Sequence, residues 1–356
     1  MQTFTLGTRL CFGENALDRL KTLGAQRVLL ITDKFFAENG TAERLAALCG
    51  AQTRVFAEVQ PDPPLELVAR GVAVLQAFQP DVLLALGGGS ALACAKGIRS
   101  LSGSQAMLVA VPTTSGTGSE VTSFAVLTHD GVKHPLVEDD LRPALAILDA
   151  SLLDKLPAGL VADAGMDALS HCLEAVAAKN ASAFSDALAH AAARCIFSDL
   201  PVSCAIAKNG QSDRALRGRL HEAAAMAGIA FDNAGLGACH ALAHALGGAF
   251  HLAHGKLNAI LLPHILEFNA PAAGDAYARL AASCGLSGVR GLMFAVRRLR
   301  QRLELPQTLT EAGLPREAVT AQADAVCEAA ANDPCAAGNP RPVTKADFSA
   351  LLEAAL

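Results

Sequence analysis

Four of the ten histidines fall in one short stretch, His240, His244, His251 and His254. His240 and His244 are four residues apart, which puts them on one face of a helix. Gly247-Gly248 reads as the end of that helix, letting His254 fold back from the turn that follows. Upstream, Asp167 and His171 repeat the four-residue spacing in an apolar segment, Gly165-Met166-Asp167-Ala168-Leu169-Ser170-His171. A carboxylate on an apolar helix needs a partner, because burying it alone is expensive. A metal ion supplies one. A carboxylate with several imidazoles and no thiolate suits Fe²⁺ or Zn²⁺ with a coordination position left open. The competing reading is a helix-face Asp–His pair with the other histidines in the core, and spacing alone does not say which histidines are ligands.

A second kind of chemistry is written into two glycine-rich turns. Leu86-Gly87-Gly88-Gly89-Ser90 follows an apolar run of strand length and opens a helical pattern. Glycines there let the backbone approach a phosphate, and the free N–H groups of the helix start favour the anion. It is not the GxGxxG fingerprint. The next strand ends in Pro112-Thr113-Thr114-Ser115-Gly116-Thr117-Gly118-Ser119-Glu120, whose hydroxyls and glycines suit a diphosphate and ribose. Asp33, in Ile31-Thr32-Asp33-Lys34, can bond ribose hydroxyls and repel a 2′-phosphate, although taken alone a cap or solvated turn residue is the better reading.

These residues need a frame. Runs of strand length, 26–32, 52–59, 81–86, 107–111 and 144–148, alternate with amphipathic stretches such as 65–78 and 91–101. That alternation predicts βαβ units and a mainly parallel sheet. After Asp149 long Ala/Leu-rich helical patterns take over, 162–178, 183–206 and 214–230. The expected architecture is an α/β nucleotide-binding domain over 1–155 followed by an all-helical, metal-binding domain over 156–356.

Composition removes other classes. A net charge of −5 and one Tyr with no Trp argue against a nucleic-acid surface. The apolar stretch 235–255 carries four histidines and a Gly-Gly pair, so no membrane span is expected. Ten cysteines without a CxxC pair, behind an N-terminus lacking a secretory pattern, read as reduced thiols of a cytoplasmic protein.

Taken together, these segments resemble the iron-containing, or group III, alcohol dehydrogenase family. The matching features are TDK at 32–34, GGGS at 87–90 with Ala95-Lys96, PTTxGTGSE at 112–120 and GMDALxH at 165–171. GLGxCHALAHxLG at 235–247, His254-Gly255, NAILLPH at 258–264 and GNPR at 338–341 complete the set, in the same order over residues 4–350. The resemblance implies that Asp167, His171, His240 and His254 hold the metal and that His244 is a non-ligand proton relay near the substrate. It also implies that Asp33 faces the adenosine ribose of NAD(H), with Gly88, Gly89, Ser90, Thr113, Thr114, Thr117 and Lys133 lining the cofactor site. The chain departs from the family pattern at Ala93, where Asp is usual, at Asp62 in Pro61-Asp62-Pro63, where Asn is usual, and at Ala245, often Pro.

The implied activity is NAD(H)-linked interconversion of short-chain aldehydes and primary alcohols, with propanal/propanol or acetaldehyde/ethanol favoured. Apart from Lys133 on the cofactor side, no cation stands in the motif segments expected to line the substrate pocket, which favours small uncharged substrates. The opening TFTLGTRLCFG is most similar to the short dehydrogenases of bacterial microcompartments, so such an association and a homodimer or larger homo-oligomer are expected. The alternatives are another group III dehydrogenase acting on a diol, lactaldehyde or maleylacetate, a dehydroquinate-synthase-like lyase, and a non-catalytic metal-binding or shell-associated protein.

Overall fold

A computed structural model describes residues 3–129 and 132–356 of the chain. It divides into two compact units, Leu6–Lys155 and Leu156–Leu356, the second also taking in the described residues ahead of Leu6. Thr5 is held there by two hydrogen bonds with the Asn233 side chain.

The first unit is a six-stranded parallel sheet in the order β1-β8-β5-β4-β2-β3, built from β1 (Arg9–Phe12), β2 (Arg27–Asp33), β3 (Gln52–Val59), β4 (Val82–Gly87), β5 (Met107–Pro112) and β8 (Leu145–Leu148). Helices α1 (Lys34–Glu38), α2 (Thr41–Cys49), α3 (Leu65–Phe78) and α4 (Gly89–Ser102) connect them. The central strands β2 and β4 are continuous apolar runs because both of their faces are covered. Leu30, Leu84, Val109 and Ile147 line one side with Leu20 and Leu45. Edge strand β3 instead leaves Arg54 and Glu58 exposed, charges that discourage edge-to-edge pairing. The expected parallel α/β sheet is therefore present. Two additions were not anticipated, edge strand β1 and an antiparallel hairpin of β6 (Phe124–His129) and β7 (Val132–Val137). β1 is only four residues long and half-exposed, so it leaves little periodicity to read.

The strand order reverses between β2 and β4. From β2 the chain goes outward to β3, then returns to β4 on the other side. Such a switch point opens a crevice at the carboxyl ends of the strands, where α/β sheets bind ligands. Asp33 and Gly87 end the two strands that flank it.

The second unit is helical among its described residues: α5 (Ala158–Ala177), α6 (Ala183–Lys208), α7 (Arg214–Ala234), α8 (Ala238–Phe250), α9 (His254–Ser283), α10 (Gly288–Arg302), α11 (Arg316–Asn332), α12 (Pro334–Gly338) and α13 (Lys345–Ala354). α5 is buried from Gly165 to Ala177 without a break, so it is the central rod of the unit. Its small residues permit this, since a side chain on Gly165 would collide with Leu200. One expectation is corrected. α8 does not stop at Gly247-Gly248 but runs on to Phe250, and His251 caps it in the left-handed conformation, φ 55°. No described helix is long and apolar enough to cross a membrane. All ten cysteines are unpaired, and seven of them are buried.

Candidate metal centre and cofactor crevice

Three helices converge in the second unit. α5 presents Asp167 and His171, α8 presents His240 and His244, and His254 is the first residue of α9. Asp167 Oδ1 lies 3.6 Å from His254 Nε2, 3.8 Å from His240 Nε2 and 4.0 Å from His171 Nε2. The donor atoms of Asp167, His240 and His254 fall within 4.8 Å of one another. Tetrahedral ligands about 2.1 Å from an ion stand roughly 3.4 Å apart, so this set needs little adjustment to hold one divalent cation. His171 stacks on His240 at 4.6 Å between ring centroids and on Phe231 at 4.3 Å, which fixes its ring plane. The exposed cap residue His251 stands apart from this cluster.

The chemistry of the donor set also fits a cation. Burial alone would raise the Asp167 carboxyl, but His171, His254 and His240 outweigh it and hold the group far below the usual carboxylate range. Burial likewise disfavours a charged imidazole at His240, yet Glu174 and Asp167 raise it to about 9. The cluster therefore draws in positive charge, which without a metal is a proton on His240. Metal uptake must expel that proton. Below about pH 9 the proton competes, so apparent metal affinity should rise about tenfold per pH unit from pH 7 and level off above 9. Competition titrations at pH 7, 8 and 9 check this, and a flat profile would contradict it.

Sequence reasoning missed three neighbours. Glu174, one turn beyond His171, accepts His240 Nδ1–H at 2.6 Å and Cys239 N–H at 2.7 Å. A carboxylate behind a ligating imidazole fixes its tautomer, here with Nε2 turned to Asp167. Its signal was available as the spacing Asp167, His171, Glu174 on one helix face. Loss of such a partner typically costs 10–100-fold in metal affinity, and that is the expectation for Glu174→Gln, measured by metal titration at fixed pH. Asn258 places Nδ2 2.7 Å from Asp167 Oδ1, 3.1 Å from His254 Nε2 and 3.3 Å from His240 Nε2. Asp333 Oδ2 lies 2.9 Å from His244 Nδ1. The GNPR segment is scaffolding, since Asn339 Oδ1 accepts Ala238 N–H at the start of α8 and Arg341 stacks on Phe268.

In the first unit the two glycine-rich turns are packed together. Thr113 N–H donates to Gly87 O at 3.0 Å, and a Cβ on Gly89 would sit 2.9 Å from Thr117 Cγ2, so only glycine allows the approach. Gly88 has Thr114 against it, and Ser90 stands half-buried in the first turn of α4. Fully buried Lys96 on α4 donates to Thr122 O and Phe124 O, anchoring the chain that leaves the second turn. Glu120 in that turn is also buried, and burial pushes its carboxyl up to about 7 against the charge of Lys96.

Asp33 serves as a cap, its Oδ1 accepting Phe36 N–H at 3.1 Å, while Oδ2 lies 3.9 Å from where a Gly87 side chain would begin. Lys34 turns away into α1 and pairs with Glu38. Lys133 on β7 is half-buried and pairs with Asp62 at 2.7 Å, so the residue that departs from the family's Asn neutralises it. Ala93, the other departure in this unit, packs with Ala125 and Leu141.

A switch-point crevice with two packed glycine turns and a carboxylate–imidazole centre together define a metal-holding, nucleotide-type oxidoreductase. Comparison with known proteins bears this out. Residues 7–150 match the family described as iron-containing alcohol dehydrogenase, and 161–356 match the C-terminal part of the Fe-containing alcohol dehydrogenase family. The chain is 41% identical over 371 residues to the 1-propanol dehydrogenase PduQ of Salmonella typhimurium, covering 99% of each. It is 35% identical to an NAD-dependent methanol dehydrogenase of Bacillus methanolicus, covering 95% of this chain and 94% of that one. The solved iron-containing alcohol dehydrogenase of Thermococcus thioreducens superposes with a TM-score of 0.92 at 32% identity, over 99% of each chain. The chain belongs to the iron-containing alcohol dehydrogenase family, and it is an oxidoreductase that interconverts alcohols and aldehydes.

Proposed function

We propose that the protein is a metal-dependent, NAD(H)-linked dehydrogenase of short uncharged primary alcohols and aldehydes, with C2 and C3 substrates preferred. The observation that supports this is the cluster of Asp167, His240 and His254, whose donor atoms lie within 4.8 Å of one another, with His171 Nε2 4.0 Å from Asp167 Oδ1 and no thiolate among the four. A divalent metal held there, Fe²⁺ before Zn²⁺, supplies Lewis acidity toward the substrate oxygen. NAD(H) supplies the hydride acceptor or donor. Asp167 contributes the negative charge that retains the cation, and Glu174 keeps His240 Nε2 directed inward. His244, its Nδ1 engaged by Asp333, exchanges the substrate proton at Nε2. Gly88, Gly89, Ser90, Thr113, Thr114 and Thr117 receive the cofactor's phosphates and ribose. The Asp62 pair leaves Lys133 a lining group without net charge. In the helical unit Lys256, two residues past His254, exerts its charge on Asp163, in keeping with uncharged substrates.

Anaerobic metal analysis paired with NADH oxidation by C2–C4 aldehydes tests the reading. One divalent metal per chain and turnover of propanal or acetaldehyde are expected. A metal-loaded protein that shows no NADH oxidation with any aldehyde would be a non-catalytic metal binder, and preference for maleylacetate would overturn the substrate class. We further propose a homo-oligomer in the cytoplasm, associated with a microcompartment, which sizing and shell co-fractionation check.

Asp33 should make the enzyme prefer NAD(H) to NADP(H). A 2′-phosphate about 4 Å from its carboxylate meets a repulsion of roughly 4 kcal/mol at an effective dielectric of 20, and solvent screening reduces this to about 1–3 kcal/mol. Asp33→Gly should therefore shift the NADPH/NADH ratio of kcat/KM by about one to two powers of ten. An unchanged ratio would leave Asp33 as the cap of α1 alone.

A further inference from the structure

We infer that Asp333 is a positioning residue for proton transfer, holding His244 as the Nδ1–H tautomer so that Nε2 exchanges the proton. This rests on the reading of His244 as the proton relay. Asp333 stands at the junction of α11 and α12, and Pro334 follows it at the first position of α12. Its Oδ1 accepts Cys335 N–H at 2.8 Å, which ties the carboxylate to the backbone. Its Oδ2 meets His244 Nδ1 at 2.9 Å, and the two side chains are each only 8% exposed.

Capping a five-residue helix does not require this arrangement. Serine or asparagine caps as well as aspartate does, and neither carries a charge that is costly to bury. What the carboxylate adds is a charged acceptor facing an imidazole nitrogen. Burial works to raise Asp333, but the hydrogen bonds from His244 Nδ1 and from Cys335 N–H act against it and favour the carboxylate as acceptor. An ionised acceptor obliges Nδ1 to carry the proton, and the lone pair is then on Nε2. The ring is held further by stacking on His254, at 5.2 Å and 17°, and by lying edge-on to His240 at 6.0 Å. In alcohol oxidation the hydroxyl proton passes to Nε2 as the hydride leaves for NAD⁺, and the imidazolium formed is stabilised by Asp333. In aldehyde reduction the same nitrogen would return the proton, the hydride being what a bound NADH would supply.

The test uses the full-length, metal-loaded protein with propanal and NADH. Asp333→Asn keeps the size and the cap but sets an amide N–H against Nδ1, forcing the opposite tautomer. Asp333→Ser, which keeps the cap and loses the reach, stands in should the first variant fold poorly. The expected result is a fall in kcat of about 10²-fold or more, with metal content and the KM for NADH unchanged. In a His244→Ala background the same substitution should cost less than about threefold, because the group it acts through is gone. Three results would overturn the assignment: kcat within threefold of wild type, an equal loss in both backgrounds, or a second equivalent of metal that disappears with Asp333. The last would make His244, Asp333 and Cys335, whose donor atoms lie within 4.8 Å of one another, a metal site instead. If His244→Ala itself keeps wild-type kcat, the relay reading falls and Asp333 with it. If His244→Ala is impaired while Asp333→Asn is not, only the role given to Asp333 falls.

Discussion

Asp167→Asn should leave a folded protein that no longer retains metal and turns over aldehyde at less than about a thousandth of the wild-type rate. Asp167 is the one anion among the four donors, and its Oδ1 faces three imidazole nitrogens at 3.6–4.0 Å. Removing a partner that only supports a ligand costs 10–100-fold in metal affinity. Removing a direct ligand that also carries the charge should exceed that range, to about 10³-fold or more. The asparagine keeps the volume, so the tight packing of α5 is not disturbed. His171→Ala, His240→Ala and His254→Ala should follow the same pattern, His254→Ala with the least effect on folding because that residue is only half-buried. Anaerobic metal stoichiometry, turnover of propanal and the thermal melt of each variant read the three quantities separately. Full activity in a metal-free preparation of any of them would refute a metal role for the cluster.

The Asp–His and His–His pairs of this cluster were legible because helices repeat, while the choice of Asp167, His171, His240 and His254 as donors came from the family resemblance alone. Two pairs spaced by four residues in apolar segments have few explanations other than a shared buried face. The parallel sheet was legible for a related reason, since β4 and β5 are apolar runs ending in turns rich in glycine, threonine and serine. What was hidden depends on contacts that no local period encodes. Asp333 lies 89 residues beyond His244, and Asn258 lies 91 beyond Asp167. The end of α8 was misplaced because Gly-Gly is a strong stop signal on its own. Gly247 is instead buried within the helix, and His251 supplies the left-handed residue that ends it. The β6–β7 hairpin is short, and its pairing shows only once α4 is in place beneath it, with Lys96 holding the chain at Phe124.

The His254-Gly255 dipeptide leads to the second large effect, on stability and metal affinity together. A Cβ on Gly255 would lie 2.3 Å from the carbonyl oxygen of Asp163 and 2.7 Å from its carbonyl carbon. Both atoms belong to the backbone of α5, so no side-chain rotation relieves the clash. The first turn of α9 would have to retreat by about an ångström to reach ordinary contact. That turn begins with His254, and Asp163 is one helical turn before Asp167, so the retreat opens the 3.6 Å approach of His254 Nε2 to Asp167 Oδ1. Overpacking of this kind costs about 1–3 kcal/mol, which for a unit of some 200 residues lowers Tm by roughly 2–12 °C. Gly255→Ala should show that drop in the metal-free protein, together with a loss of at least about tenfold in metal affinity. Gly159→Ala is the matched comparison, because Gly159 begins the same α5, is exposed and has nothing within 4 Å of a new Cβ. There the substitution should be neutral or stabilising by up to about 1 kcal/mol and leave metal binding alone. Should Gly255→Ala melt within a degree of Gly159→Ala and bind metal equally well, the close approach of α9 to α5 is not what delivers His254 to the centre.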